Sequence, residues 1–400
     1  MLEPSPLVVV SSGVSWDAVK GSARQLAEAL LAHADVLWID PPVSLVTPAR
    51  YRGGTDDPRP WRPVLRPLCP ELTRLTPVAL PGLSRPVIRS ITSPAVRAQV
   101  GWALRRLGRR PVAVLAYSPH DVLGRWGAGV TNVLYGTDDW VAGARLMRLD
   151  PRRQGQQVRI ALARADLVLV VSPELGERWS GLGADPVLLP NGCNASAYAE
   201  VPGLQAAEMP EGFPTPVAGV VGQLSDRIDI GLLEAVVDAG IGLLLVGPRD
   251  SVWQPQRSAA LLARRNVHHT GLVPFEALPR WFAGLDVGLI PYADTPFNRA
   301  SFPLKTLEYL AAGLPVVSTD LPASRRLQAE TGEVRLAVGG DAAGREAFVQ
   351  AVLAAAGQSR TAARIAERQA VAHRHSWANR AQTLAGMLGV TRQSTQRSAS

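Results

Sequence analysis

Short apolar runs alternate with amphipathic segments along the whole chain. The segments 22–32, 152–164, 230–237, 276–283 and 303–312 carry apolar residues at helical spacing. Alternation of this kind indicates a parallel sheet with helices on both faces, so we predict an α/β protein with two similar halves. The predicted strands are Leu7–Val10, Val36–Ile39, Val112–Tyr117, Val130–Tyr135, Leu167–Val171 and Val187–Leu189 in the first half, and Val217–Val221, Leu243–Val246, Val287–Leu289 and Val316–Val317 in the second.

We expect the two halves to be separate domains, because a single core rarely grows beyond roughly 250–300 residues and this chain has 400. The segment 201–216 is rich in Pro, Gly and Glu and lacks periodicity, which favours a linker. The predicted organisation is an N-terminal domain at 1–205, a C-terminal domain at 206–374, a C-terminal helix at 375–390 and a disordered tail at 391–400.

The segment 44–94 holds many prolines and is predicted to be a long, partly irregular insertion. The overlapping region Arg50–Arg110 contains thirteen arginines and three acidic residues, whereas the whole chain has a formal net charge of +8. A positive field favours anionic partners, so contact with an anionic membrane is one hypothesis and a plain solvated surface is the other. No stacking-rich basic motif accompanies the arginines, and we expect no nucleic acid partner.

Several features favour a cytoplasmic protein, at the inner membrane surface if the arginines bind lipid. The apolar runs fall far short of the about 20 residues of a membrane-spanning helix. The opening MLEPSPLVVVSSG lacks the basic residues of a secretory signal. Only Cys69 and Cys193 occur, far apart, which argues against a disulfide framework and against a cysteine zinc site.

Residues that directly follow strands are candidates for chemistry, because ligands of open parallel sheets bind beyond the carboxyl ends of the strands. His120, Asp138 and Asp139 are candidate catalytic bases on this ground. Their alternative roles are a structural histidine and helix caps. Trp16 and Asp17 are a candidate acceptor-binding pair, the ring stacking on a sugar and the carboxylate binding a hydroxyl; the alternative is a buried tryptophan.

The segment SFPLKTLEYLAAGLPVVSTD, residues 301–320, predicts a loop, a helix and a strand, since Pro303 suits a first helical turn and Gly313 a left-handed end. The free N–H groups at such a helix start attract an anion such as diphosphate, and Lys305 adds a full charge. Glu308 lies on the same helix face and is able to accept both hydroxyls of a ribose. The alternative is an ordinary surface Lys/Glu pair.

The run NVHHTGLVPFEALPRWFAGLDVGLIPYADTPFNRASFPLKTLEYLAAGLPVVSTD, residues 266–320, resembles the donor-binding domain of GT-B glycosyltransferases of the family 4 type. The pattern P-x-K-x-x-E-Y-L-A-A-G-x-P-V-V carries the resemblance. Segment 219–236 resembles the first strand, loop and helix of that domain, and 376–384 resembles the last helix, which returns to the first domain. The resemblance is weaker over 1–200. It implies the GT-B fold, in which two Rossmann-like domains face a central cleft, with 1–205 as the acceptor-binding domain and 206–374 as the nucleotide-sugar donor-binding domain.

The resemblance implies that Glu308 holds the donor ribose and that Lys305, with the N–H groups of 301–304, faces the diphosphate. Backbone groups at Gly271 and Leu272 would hold the base. The full set of candidate donor-binding residues is Gly13, Gly222, Arg227, Arg249, Gly271, Leu272, Ser301, Phe302, Leu304, Lys305 and Glu308.

The chain departs from the family pattern in two ways. Ala300 stands where the family commonly has a sugar-binding Glu, so the sugar contact is expected from Asn298 or Ser301. Gln223 and Ile228 stand where an Arg/Lys pair is usual. Arg227 or Arg249 is therefore the candidate for the diphosphate.

We therefore expect a bacterial enzyme that transfers a hexosyl or related group from a nucleotide-diphospho-sugar to a glycan, lipid-linked or small-molecule acceptor, in cell-envelope or natural-product glycosylation. No metal or other cofactor is expected, because electrostatics would stabilise the leaving group. Retention of configuration is implied by the resemblance, and inversion with Asp138 or Asp139 as base stays open. The alternative functions are a non-hydrolysing nucleotide-sugar epimerase and a non-catalytic GT-B-like binding protein.

Overall fold

The computed structural model describes residues 5–18, 20–44, 62–81, 86–119 and 122–390, without the side chains of 86–90. His120 and the predicted tail at 391–400 lie outside the described residues. The chain divides into two compact units. One comprises the described residues of Met1–Pro190 and Trp377–Ser400, and the other is Asn191–Ser376.

The first unit is built on an eight-stranded sheet among the residues described. Its strands are β1 (Leu7–Ser11), β2 (Asp35–Ile39), β3 (Val64–Cys69), β4 (Leu72–Thr76), β5 (Ala113–Ala116), β6 (Thr131–Gly136), β7 (Leu167–Val170) and β8 (Pro186–Leu188). They lie in the order β3-β4-β2-β1-β5-β6-β7-β8, and all pairs are parallel except β3 with β4. The helices are α1 (Ser22–Leu30), α2 (Pro86–Leu107), α3 (Pro151–Leu162) and α4 (Pro173–Ser180).

The second unit is built on a six-stranded parallel sheet. Its strands are β9 (Val217–Val221), β10 (Gly242–Val246), β11 (Val267–His269), β12 (Val287–Ile290), β13 (Val316–Thr319) and β14 (Val334–Ala337), in the order β11-β10-β9-β12-β13-β14. The helices are α5 (Ala195–Tyr198), α6 (Ile230–Asp238), α7 (Pro255–Leu262), α8 (Leu278–Ala283), α9 (Pro296–Arg299), α10 (Leu304–Ala311), α11 (Pro322–Thr331), α12 (Ala342–Ala356) and α13 (Ala362–Arg374). A final helix, α14 (Trp377–Leu388), packs on α1 in the first unit.

The central strands are buried along their whole length, which explains their uninterrupted apolar sequences. Every residue of β1, β9 and β10 is buried. Because successive side chains of a strand point to opposite faces, β10 contributes to two cores. Leu244 packs in the cluster that contains Tyr309, and Leu243 packs in the cluster that contains Phe348.

The predicted α/β class is confirmed, and each predicted strand overlaps an observed one. The prediction of an irregular insertion was wrong over part of 44–94, because β3 and β4 form an antiparallel hairpin at 64–76 and α2 begins at Pro86. The units divide between Pro190 and Asn191, whereas the sequence placed the boundary at 205/206. Within the described part of the chain, no helix is long and apolar enough to cross a bilayer.

Candidate functional site

Helix α10 brings Lys305 and Glu308 together as predicted. Pro303 precedes its first turn, and Gly313, with φ of +71°, allows the chain to leave its end. Lys305 Nζ lies 2.5 Å from Glu308 Oε2. The Glu308 side chain is only 1% exposed, whereas that of Lys305 is 23% exposed. This burial separates the pair from an ordinary surface pair, in which both side chains remain in water.

Gly222 lies next to this pair, at the carboxyl end of β9. Its φ is +137°, a conformation that favours glycine. A Cβ at Gly222 would lie 3.8 Å from Lys305 Cε. The structure therefore brings three of the candidate donor-binding residues, Gly222, Lys305 and Glu308, to one edge of the second sheet.

The N-terminal turn of α10 differs in part from the expectation. The N–H of Leu304, expected to be free, donates to the carbonyl of Phe302 at 3.0 Å, and the N–H of Ser301 donates to the carbonyl of Asn298 at 3.2 Å. Those two N–H groups are therefore not free for an anion, and this part of the prediction was wrong. No hydrogen bond within the described chain engages the N–H of Lys305, which remains a donor at the helix start.

Two tyrosines that the sequence reasoning missed hold α10 in place. The Tyr309 hydroxyl donates to the carbonyl of Gly219 at 3.0 Å and accepts from the N–H of Val221 at 2.9 Å, so it fixes the helix to β9. Tyr198 is fully buried, and burial together with the neighbouring Glu308 carboxylate raises the pKa of its hydroxyl well above the ordinary value. Tyr309 stands within the E-Y-L motif, so its position beside Glu308 in that motif is the sequence feature from which an anchoring role could have been predicted.

Arg227 is held by stacking and by one side-chain hydrogen bond. Its guanidinium carbon lies 4.8 Å from the ring centroid of Tyr292 and 5.0 Å from that of Phe297. Its Nε donates to Asn298 Oδ1 at 3.1 Å. Asn298 Nδ2 in turn donates to the carbonyls of Arg227 and Ala293, both at 2.9 Å. Asn298 therefore orients Arg227 from the loop that leads into α10.

Asn298 and Ser301, the expected sugar contacts, are both engaged within the unit. Asn298 is 2% exposed and uses its amide N–H groups and carbonyl oxygen as described. Ser301 is 3% exposed, and its hydroxyl donates to the carbonyl of Phe297 at 2.9 Å. Both side chains thus serve the conformation of the loop before α10 in this structure.

The ends of β10 and β11 are joined through glycine turns. Gly247 has a φ of +136°, and a Cβ there would lie 2.1 Å from the carbonyl oxygen of Gly222. Gly247 N–H donates to the carbonyl of Gly271 at 2.9 Å, and Leu272 beside it is 67% exposed. Arg249 donates to the Ser258 hydroxyl at 2.9 Å, so it is anchored to α7.

In the first unit, Asp139 is occupied by three donors. It is 5% exposed, and its Oδ1 accepts from the N–H groups of Val141 and Ala142 at 3.0 and 2.9 Å. Its Oδ2 accepts from Arg178. A carboxylate bound in this way fits the alternative role of a helix cap better than the role of a free catalytic base. Asp138 is half-buried beside it, and His120 lies outside the described residues.

Trp16 and Asp17 lie in the loop after β1 and are held by a buried ion pair. Trp16 is 8% exposed, packs edge-on against Trp38 and has the Arg24 guanidinium over its ring at 4.4 Å. Asp17 is exposed and accepts from Arg74 Nη1 at 2.7 Å. Arg74 Nε also donates to the buried Asp40 at 2.6 Å.

Gly13 lies in the same loop and is exposed. A Cβ on it would lie 3.5 Å from Ser118 Cβ, so the residues after β1 and β5 lie close together. Among the residues for which the structure gives side chains, no cluster of three or more His, Cys, Asp or Glu is able to hold a metal ion.

Comparison with known proteins identifies the domain that carries this site. Residues 216–357 match the family model of glycosyl transferases group 1. The second unit is therefore similar to the glycosyl transferases group 1 family over most of its length. A putative teichuronic acid biosynthesis glycosyltransferase, TuaH, of Bacillus subtilis strain 168 is 33% identical to this chain over 135 residues. That match covers 33% of this chain and 33% of the relative, so the chain matches about a third of the relative's length.

The similarity to solved structures extends over both units and shows the GT-B fold. Sucrose-phosphate synthase from Thermosynechococcus elongatus superposes with a TM-score of 0.70 at 18% identity, over 96% of this chain and 98% of that one. HepE from Anabaena, in complex with UDP and glucose, gives a TM-score of 0.61 at 16% identity over 95% and 99%. The predicted fold is thereby confirmed. None of these comparisons supports the epimerase or binding-protein alternatives.

Proposed function

We propose that this protein transfers a sugar from a nucleoside-diphosphate sugar to an acceptor hydroxyl. The observation that carries the proposal is the burial of the Glu308 carboxylate, 1% exposed, against Lys305 Nζ at the start of α10. A buried carboxylate is costly unless hydrogen-bond donors compensate the loss of water. The two hydroxyls of a ribose are donors of the required kind, so this helix is suited to a nucleotide.

Positive charge around the same edge supports a diphosphate beside the ribose. Lys305 supplies an ammonium group, and the N–H of Lys305 adds a partial positive charge at the helix start. Arg227 supplies a guanidinium that is already oriented by Asn298 and by two aromatic rings. Pre-oriented cations are effective in catalysis because they need no reorganisation when charge develops.

In the proposed reaction, the bond between the sugar C1 and the diphosphate oxygen breaks, and its electron pair stays on the diphosphate. A new bond forms between C1 and the acceptor oxygen, and the acceptor proton passes to a base. Asp138, Asp139 and His120 remain the candidate bases from the sequence, and three donors already occupy the Asp139 carboxylate. The charge of the leaving diphosphate is met by Lys305 and Arg227, which makes the proposed transfer metal-independent.

The acceptor that we propose is a cell-envelope glycan or its lipid-linked precursor, made at the inner membrane surface. The printed name of the B. subtilis relative, a putative teichuronic acid biosynthesis glycosyltransferase, supports this class. The surplus of arginines between Arg50 and Arg110 supports peripheral contact of the protein with anionic lipid.

A thermal-shift panel with UDP-, GDP-, ADP- and TDP-sugars tests donor binding. One nucleotide should raise the melting temperature, since ligand at 100 times its Kd stabilises the folded state by about 2.7 kcal/mol. The stabilising donor is then incubated with membrane extract, and release of the nucleoside diphosphate is measured. Absence of any shift across the panel contradicts the proposal, and a shift without release would indicate a binding protein.

A further inference from the structure

Helix α2 is apolar on two opposite faces. Its inner face is buried through Val96, Val100 and Ala103. On the outer side, Ile91 is 51% exposed and Trp102 is 38% exposed. Apolar faces of a helix are normally covered, and within the described part of the chain the outer face of α2 is left exposed.

The outer apolar residues form one continuous line. Ile91, Pro94, Ala98 and Trp102 are all exposed, and their spacing of three and four residues places them on one side of the helix. We call these four residues the α2 stripe. The helix is also firmly held from behind, because Gln99 accepts from the N–H of Val78 and donates to its carbonyl, both at 2.8 Å.

Unpaired arginines adjoin one end of the α2 stripe. The sequence of α2 contains no acidic residue, and Arg105 and Arg106 follow Trp102 on the exposed side. Neither of them is in an ion pair within the described chain. Exposed arginines elsewhere, such as Arg299 and Arg325, lie within 2.5 Å of an aspartate. The positive charge beside the stripe is therefore available to an outside partner.

We propose that the α2 stripe docks this protein on an anionic phospholipid surface, which names the element responsible for the membrane contact in the proposed function. Trp102 and Ile91 enter the boundary between headgroups and acyl chains, and Arg105 and Arg106 contact lipid phosphates. A tryptophan suits this position because its ring is apolar and its N–H remains at the wet boundary.

A second copy of the chain is a poorer occupant of the stripe. Packing two α2 stripes together places the unpaired arginines of both copies, Arg105 and Arg106, at one interface that no acidic residue of α2 relieves. Like charges at an interface oppose association. A lipid surface supplies an apolar acyl-chain region and negatively charged headgroups together.

Co-sedimentation of the full chain with vesicles tests the proposal. We expect binding to vesicles of phosphatidylglycerol and phosphatidylcholine, and roughly tenfold less binding to phosphatidylcholine alone or at high salt. The double variant Ile91→Ser/Trp102→Ser and the double variant Arg105→Glu/Arg106→Glu should each reduce binding by roughly tenfold. The matched control is Arg159→Glu/Ile160→Ser, which removes an exposed arginine and an apolar side chain that is 48% exposed from α3 of the same unit.

The outcomes separate this proposal from the donor site. Retained vesicle binding by the α2 variants, or equal loss in the α3 control, overturns the role of the stripe. Loss of a wild-type dimer in the Ile91→Ser/Trp102→Ser variant, without any vesicle binding by the wild type, assigns the stripe to self-association instead. The nucleotide-dependent thermal shift, measured without vesicles, should be the same in all these variants because the donor helix lies in the second unit, and it also shows that they fold.

Discussion

The ammonium of Lys305 lies 2.5 Å from the carboxylate of Glu308, and the glutamate side chain is almost completely buried. The two residues are three positions apart on one helix, so the pair forms locally, but its burial depends on the rest of the second unit. Gly222 lies beside Lys305 at the end of β9, and Tyr198 and Tyr309 pack on the glutamate side of the helix. These neighbours keep a reactive pair of charges in a defined position.

Replacing Glu308 by Gln should weaken donor binding by about 10- to 100-fold. Each hydrogen bond from the ribose to the carboxylate contributes about 1.5–3 kcal/mol, whereas a bond to a neutral amide contributes only about 0.5–1.5 kcal/mol. Titration calorimetry with the stabilising nucleotide-sugar measures the change. Glu28→Gln is the matched control, since Glu28 on α1 of the first unit also has its Oε2 2.5 Å from a lysine, Lys20. Equal affinity of Glu308→Gln and the wild type would show that the donor does not bind at α10.

Replacing Arg227 by Met should lower kcat/KM by about 10- to 100-fold, because the cation that we assign to the leaving diphosphate is lost. Arg299→Met is the control, as Arg299 is exposed and paired with Asp294. Asn298→Ala should lower kcat/KM in the same direction by releasing Arg227, and should also lower the melting temperature, because two carbonyls lose a donor. Unchanged kinetics in Arg227→Met would exclude this arginine from the diphosphate.

Replacing Tyr309 by Phe should lower the free energy of unfolding by about 1–3 kcal/mol, since the carbonyl of Gly219 and the N–H of Val221 both lose their partner in the core. Tyr117→Phe is the contrast. Its hydroxyl is buried without any hydrogen bond, so removing it should change stability by less than about 0.5 kcal/mol. Urea unfolding of the two variants measures the difference, and similar losses in both would refute the anchoring role of Tyr309.

Replacing Gly288 by Ala should lower stability by about 1–3 kcal/mol or more, because a Cβ there would lie 2.3 Å from Cγ of the Tyr309 ring. Gly155→Ala should have the opposite effect. Nothing lies within 4 Å of a Cβ at Gly155 in the middle of α3, so the substitution should add about 0.5–1 kcal/mol through helix propensity. Thermal unfolding of both variants measures whether the melting temperature falls in Gly288→Ala and rises in Gly155→Ala.

The sequence predicted most strands of both sheets, because the central parallel strands are apolar throughout and stand between clear helical segments. It missed the β3–β4 hairpin, because the edge strand β3 is half-buried or exposed and the buried strand β4 carries the charged Arg74 among its apolar residues. It also missed the start of α2, where Pro94 and apolar residues on two faces obscure the helical period. Edge elements carry weaker patterns than central ones because only part of their surface is buried.

Within the candidate site, the sequence identified the residues whose relationship is local. Lys305 and Glu308 are three residues apart, and a helix brings them together wherever it lies. The contact between Arg227 and Asn298 spans 71 residues, and that between Tyr309 and Gly219 spans 90. No local pattern encodes either contact, since both depend on how helices pack over the sheet.

The sequence by itself determined the α/β class, the amphipathic helix with its lysine and glutamate, and the basic character of the first half, because these follow from periodicity, local spacing and composition. Tertiary structure alone decided that Glu308 is buried, that Asp139 is held by Arg178, and that the apolar outer face of α2 is exposed. Burial and long-range pairing arise from residues far apart in the chain, and they change what each side chain is able to do.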